Sequence, residues 1–133
     1  MMLETAIKEI ENSIGTDDFE LVMEDNIRNL EMQNVGIEAV APLLQLIERH
    51  PLDDFGVPGA IVHFVERFYK KGYEELLIES IKRRPTMHTV WMLNRIINGS
   101  ENKDDYIEVM KDIVDCSDVE DAIKNEVRAF LNR

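Results

Sequence analysis

Three apolar segments recur along this chain at nearly constant spacing, and they limit its fold more than any other feature. PLLQLIERHP, ELLIESIKRRP and IEVMKDIVDCS superpose with Ile47, Ile81 and Ile113 in register, at spacings of 34 and 32 residues. Within each segment the apolar residues fall at helical spacing, and almost nowhere in the chain do they alternate as a strand's would. The segments that follow superpose more loosely, FVERF, MLNRI and EVRAF bringing Arg67, Arg95 and Arg128 to similar places. A helix pair repeated at this period cannot bury its apolar face alone and stacks on its neighbours into an α-solenoid. The expected fold is therefore all-α, a short HEAT-like stack of helical hairpins, with an irregular helical bundle as the alternative.

Capping and breaking residues divide the chain into eight expected helices. Leu3, Ile7, Ile10 and Ile14 mark the first, ended by Gly15, and Thr16, Asp17 or Asp18 caps a second that runs through Leu21, Val22, Ile27 and Leu30 to about Met32. Gly36 opens the third, which carries Val40, Leu43, Leu44 and Ile47 to His50-Pro51; Pro42 inside it predicts a late start or a kink. After the loop LDDFGV, a fourth helix has Pro58 in its first turn, holds Ile61, Val62, Phe64, Val65 and Phe68, and ends near Lys71-Gly72. The fifth uses Leu76, Leu77, Ile78 and Ile81 before Arg84-Pro85. Thr86 caps the sixth, which ends at Asn98-Gly99. The seventh runs from about Asn102 to Val114, and Ser117 or Asp118 caps the eighth, with Ala122, Ile123, Val127, Phe130 and Leu131. In a HEAT-like stack the second helix of each pair lines one face. Helices four, six and eight would then lie side by side on the natural binding surface.

Residues 1–133 make one domain, long enough to bury most of its apolar surface without disulfides or metals. A hydrophobic fraction of 44% beside 32% charged residues is that of a globular protein. The single cysteine, Cys116, excludes an internal disulfide framework, fits a reducing compartment and reads as a partly buried small apolar residue. No apolar run nears the roughly 18 residues that span a bilayer, and no basic-then-apolar leader opens the chain, so the expected location is the cytoplasm, without a membrane partner.

The net charge of −12 argues against nucleic acid as a direct ligand, because phosphate binding runs on Lys and Arg displacing counterions. The charge is also uneven. Residues 1–60 carry 13 acidic against 3 basic side chains, residues 61–98 carry 4 against 7, and residues 99–133 carry 10 against 5. Two acidic flanks around a mildly basic middle suit a partner with a positive surface. The densest run, ENKDDYIEVMKDIVDCSDVED, holds nine acidic and two basic residues around Tyr106, an array that can imitate nucleic-acid phosphate.

Chemistry-bearing patterns are sparse. His50, His63 and His88 lack a second ligand at metal-site spacing, so no metal is expected. His63, Glu66 and Arg67 share a helix face in HFVER, where a partly buried histidine satisfied by a neighbouring acid or carbonyl is the plain reading and an acid–base dyad the sharper one. Gly56 and Gly59 flank a proline instead of forming a phosphate loop, and neither a serine elbow nor a Cys-His signature is present, so neither a catalytic site nor a cofactor is expected. Lys82, Arg83 and Arg84 read as a helix end that offsets the macrodipole. Trp91, Asn94 and Arg95 are more suggestive: Trp91 and Arg95 are one turn apart, and part of the group must leave the core stripe of Val90, Leu93 and Ile97. Trp91 is then either a core ring beside an inter-repeat ion pair from Arg95 or an interface anchor.

The segments DFGVPGAIVHFVERF and RRPTMHTVWMLNRIING resemble the small all-helical bacterial immunity proteins of contact-dependent growth inhibition and related polymorphic toxin systems. The resemblance is strongest over residues 51–99 and is carried by Asp54, Gly56, Pro58, Gly59, His63, Glu66, Arg84, Pro85, Thr86, Trp91, Asn94 and Arg95. It implies tight binding to the C-terminal toxin domain of a cognate effector, typically a nuclease. The candidate partner-binding residues are Asp54, His63, Glu66, Trp91, Asn94 and Arg95 from this stretch, joined by Asp104, Asp105 and Glu108 from the acidic run. Two other classes are compatible with the residues. A HEAT-like adaptor or scaffold would hold a persistent cytosolic partner, and a helical enzyme would gather His63, Glu66 and Arg95 around one pocket.

Overall fold

The computed structural model describes residues 2–56, 59–101 and 103–132, and it is all-α. Eight α-helices follow one another: α1 (Met2–Ser13), α2 (Phe19–Met32), α3 (Val40–Glu48), α4 (Ala60–Glu66), α5 (Tyr73–Arg83), α6 (Met87–Gly99), α7 (Asp104–Asp115) and α8 (Asp121–Leu131). No strand occurs among the described residues. Pro58 and Asn102, expected in the first turns of the fourth and seventh helices, lie outside them.

Each boundary has a local cause. Pro42 sits in the first turn of α3, after a 3-10 turn over Ile37–Ala39, so the late start wins over the kink because a proline there removes no helical hydrogen bond. α6 begins with a reciprocal capping box, the Thr86 hydroxyl accepting from the Thr89 amide at 2.9 Å and the Thr89 hydroxyl from the Thr86 amide at 3.1 Å. α4 is shorter than expected. Its α-helical bonding stops at Glu66, and three-residue turns carry the chain on to Lys71, where Lys70 at φ 64° turns it toward α5. α8 starts later than expected, with Glu120 at its cap position, and Ser117 and Asp118 lie in the preceding turn. Cys116 is exposed rather than partly buried, because α7 ends at Asp115 and leaves it outside the packed face.

Packing runs both along and across the chain. α1 packs on α2, α5 on α6 and α7 on α8; beyond these neighbours α1 meets α3, α3 meets α5, α2 meets α4, and α6 meets α8. Ile47, Ile81 and Ile113, which the repeat puts in register, are all buried in one continuous core. Ion pairs link the same helices. Glu11 of α1 takes Arg49 after α3, Glu48 of α3 takes Arg83 of α5, and Glu31 of α2 takes Arg67 after α4. Glu66 of α4 takes Arg95 of α6.

Candidate binding groove

Three helices contribute one residue pair each, spaced a turn apart, to a single groove. Val62 and Glu66 come from α4, Trp91 and Arg95 from α6, and Glu126 and Phe130 from α8. All but Glu66 line an open recess of about 390 Å³, together with His88, Met92 and Asn94. The walls are mainly apolar. A groove of this size, with few polar groups at its edge, accepts a side chain or a small group rather than a long ligand.

Trp91 is half-buried, neither a core ring nor a free one. Its ring lies 5.7 Å from that of His88, His88 lies edge-on to Phe55 at 5.6 Å, and Phe55 lies edge-on to Phe19 at 5.8 Å. Phe55 and His88 are buried, so a file of rings running from the start of α2 holds Trp91 in place from behind while its outer face stays open to the groove. Arg95 is fixed by two parallel bonds to Glu66, Nε to Oε2 at 2.7 Å and Nη2 to Oε1 at 2.9 Å. That bidentate pairing holds the guanidinium more firmly in its charged form. The ion pair expected of Arg95 is present, joining α6 to α4, and the core tryptophan of that reading is not.

The other candidate residues are placed elsewhere. Asp54 is exposed and its Oδ1 accepts the Gly56 amide at 2.8 Å, so it shapes the loop before α4. His63 is exposed rather than partly buried and lines a second groove, about 410 Å³, between α2 and α4. Glu20, Glu24 and Glu31 make this second groove acidic. His63 lines the α2–α4 groove while Arg95 lines the recess of α4, α6 and α8, so these two do not share a pocket. Asp104, Asp105 and Glu108 stand exposed at the start of α7 and line neither groove, with the first two in the turn where a helix dipole favours carboxylates.

The basic triplet is divided. Arg83 bonds back to Glu48, and Arg84 reaches forward to Glu120. His50 stands between Glu11 at 2.7 Å and Asp53 at 3.1 Å. Among the described residues no group of three or more His, Cys, Asp or Glu side chains is placed to hold a metal ion, and no helix is long and apolar enough to cross a membrane.

Glu126 and Phe130 were missed from sequence. The EVRAF segment pointed to Arg128, which instead bonds Asn125 within its own helix at 2.9 Å. Their turn-long spacing was visible, but which face of α8 meets α6 is decided by helix packing. The chain is thus an all-α protein with a ring-backed, charge-rimmed groove across three of its helices. No protein-family model, curated protein or solved structure matches it.

Proposed function

We propose that this is an immunity protein that binds and neutralises the C-terminal toxin domain of a cognate effector, a nuclease domain with a basic face, in the cytoplasm of the producing cell. The observation that carries the reading is the lone tryptophan on the open wall of the α4–α6–α8 groove. Folding alone favours burying such a ring, and a tryptophan held rigid from behind and open in front has the form of an interface anchor. The resemblance over residues 51–99 points the same way. So does the net charge of −12, which draws a basic partner in from solution.

We read the helix order as a HEAT-like stack with α2, α4, α6 and α8 as the layer that meets the toxin; the ion pairs that join α1 to α3, α3 to α5, α2 to α4 and α4 to α6 support this register. The separation of His63 from Arg95 favours a binding role over an acid–base one, and the reading needs neither metal nor cofactor. The test is co-expression with the C-terminal domain of the large secreted protein expected to be encoded immediately upstream. Cells should survive and the two chains should co-purify, while Trp91→Ala should lose protection at unchanged abundance. No rescue, with a resident host protein bound instead, would replace this reading by that of an adaptor.

A further inference from the structure

The groove carries one charge that no described residue balances. Arg95, on its rim, is held by both oxygens of Glu66. Glu126 is half-buried in the same wall and makes no hydrogen bond or ion pair among the described residues. It shares the recess with the apolar Val62, Trp91, Met92 and Phe130 and with the polar His88, Asn94 and Arg95, and, half-buried there, it keeps only part of its hydration without gaining a partner among the described residues. Glu126 and Phe130, one turn apart on α8, stand on one side of the recess, and Trp91 of α6 lines it with them.

This arrangement selects its occupant. An anion would meet an unpaired carboxylate and a chain of net charge −12, with Arg95 in the lining already paired to Glu66. A purely apolar group would strip the remaining water from Glu126 and leave its charge unpaired. A cation with an apolar stem satisfies both the wall and the carboxylate. Arginine fits better than lysine, because its planar, weakly hydrated head can fork onto a carboxylate and lie flat on an indole, whereas ammonium holds its water more tightly.

We infer that the α4–α6–α8 groove is a receptor for an arginine side chain on the partner's surface, its guanidinium forked onto Glu126 and its plane laid against Trp91. That the arginine belongs to a toxin domain rests on the function proposed above; the chemistry of the groove does not.

Trp91 is the only tryptophan, so its fluorescence reports on this groove alone. The probes are acetylated, amidated hexaarginine and hexalysine, titrated at physiological salt into the whole chain. Hexaarginine should change the emission and bind more tightly than hexalysine. Glu126→Gln should weaken hexaarginine about tenfold, the loss of one charged hydrogen-bonded contact, with the melting temperature unchanged. The triple variant Asp104→Asn, Asp105→Asn, Glu108→Gln removes more charge from α7 yet should change the affinity less than about threefold, as screened surface charge does. Native-like hexaarginine binding by Glu126→Gln, or an emission indifferent to the peptide, overturns the assignment. The titration involves no toxin, so a groove that responds as expected in a protein that fails to protect cells removes the immunity reading only. Protection without any arginine response removes the arginine receptor only.

Discussion

At the scale of single residues, two Glu-Arg dipeptides face both ways along the molecule. Glu48 bonds forward to Arg83 while Arg49 bonds back to Glu11, and Glu66 bonds forward to Arg95 while Arg67 bonds back to Glu31. The arginines of these pairs are about half exposed and the carboxylates less so, and pairs this near the surface contribute about 0 to 1 kcal/mol each, so they fix which turn faces which more than they hold the helices together. Glu11 is the most perturbed carboxylate of the set. Hydrogen bonds from Arg49, and then from His50, lower its pKa from 4.5 to about 2 against the opposing effect of partial burial. A carboxylate with a depressed folded-state pKa adds stability that is complete above its unfolded value and is lost as pH falls toward the folded one. Its share of the stability should therefore disappear between pH 4.5 and about 2. Glu120, held low by Arg84, contributes to the same acid limb, so the informative quantity is the difference between variant and native protein. Glu11→Gln should be less stable than native at neutral pH and should converge with it across this window. Chemical denaturation at several pH values measures this; parallel curves would show that Glu11 does not govern the acid limb.

Among the elements, those governed by local chemistry were legible in sequence and those governed by packing were not. Thr86 announced α6 because a capping box needs only two side chains three positions apart, and Pro42 announced either a late start or a kink in α3, of which the late start occurs, because proline's restrictions are local. The eighth helix began later than Ser117 or Asp118 suggested, since Arg84 holds Glu120 at the cap position from a distant part of the chain. The shortening of α4 was hidden in the same way, because FVERF continues a helical pattern while the backbone tightens beneath it. The loop before α4 shows the local rule most sharply. Gly59 has φ 93° and ψ 170°, a region closed to side chains, and a Cβ there would lie 1.9 Å from the Phe55 carbonyl oxygen. Phe55 is fully buried and part of the ring file behind Trp91, so the loop has little freedom to move aside. Gly59→Ala should cost about 3 kcal/mol, near the upper end for backbone strain at one position. Urea unfolding with an unchanged m-value would show it, and a cost below about 1 kcal/mol would mean that the loop reroutes without strain.

Over the whole molecule, charge and contact are separated in space, and binding kinetics should separate them as well. The candidate residues fall into a groove set (Trp91, Asn94 and Arg95, with Glu66 pairing Arg95 from α4), an exposed acidic set on α7 (Asp104, Asp105 and Glu108), and the outlying Asp54 and His63. The sequence placed all of them on helices or loops but could not say which would meet, because that depends on how α6 and α8 cross. Exposed carboxylates act over roughly a Debye length, about 8 Å at physiological salt, and so mainly guide the approach of a basic partner. A desolvated aromatic anchor acts only once contact is made, and mainly sets how long the complex lasts. The triple variant Asp104→Asn, Asp105→Asn, Glu108→Gln should therefore slow association with the proposed toxin partner several-fold, about three to ten times at low salt, and should match native protein at high salt. Trp91→Ala should leave association nearly unchanged and speed dissociation at least about tenfold at every salt concentration. Stopped-flow mixing at two ionic strengths distinguishes the two variants. If instead the triple variant dissociates faster and its defect persists at high salt, the partner sits directly on the start of α7 and the groove is not the centre of the interface.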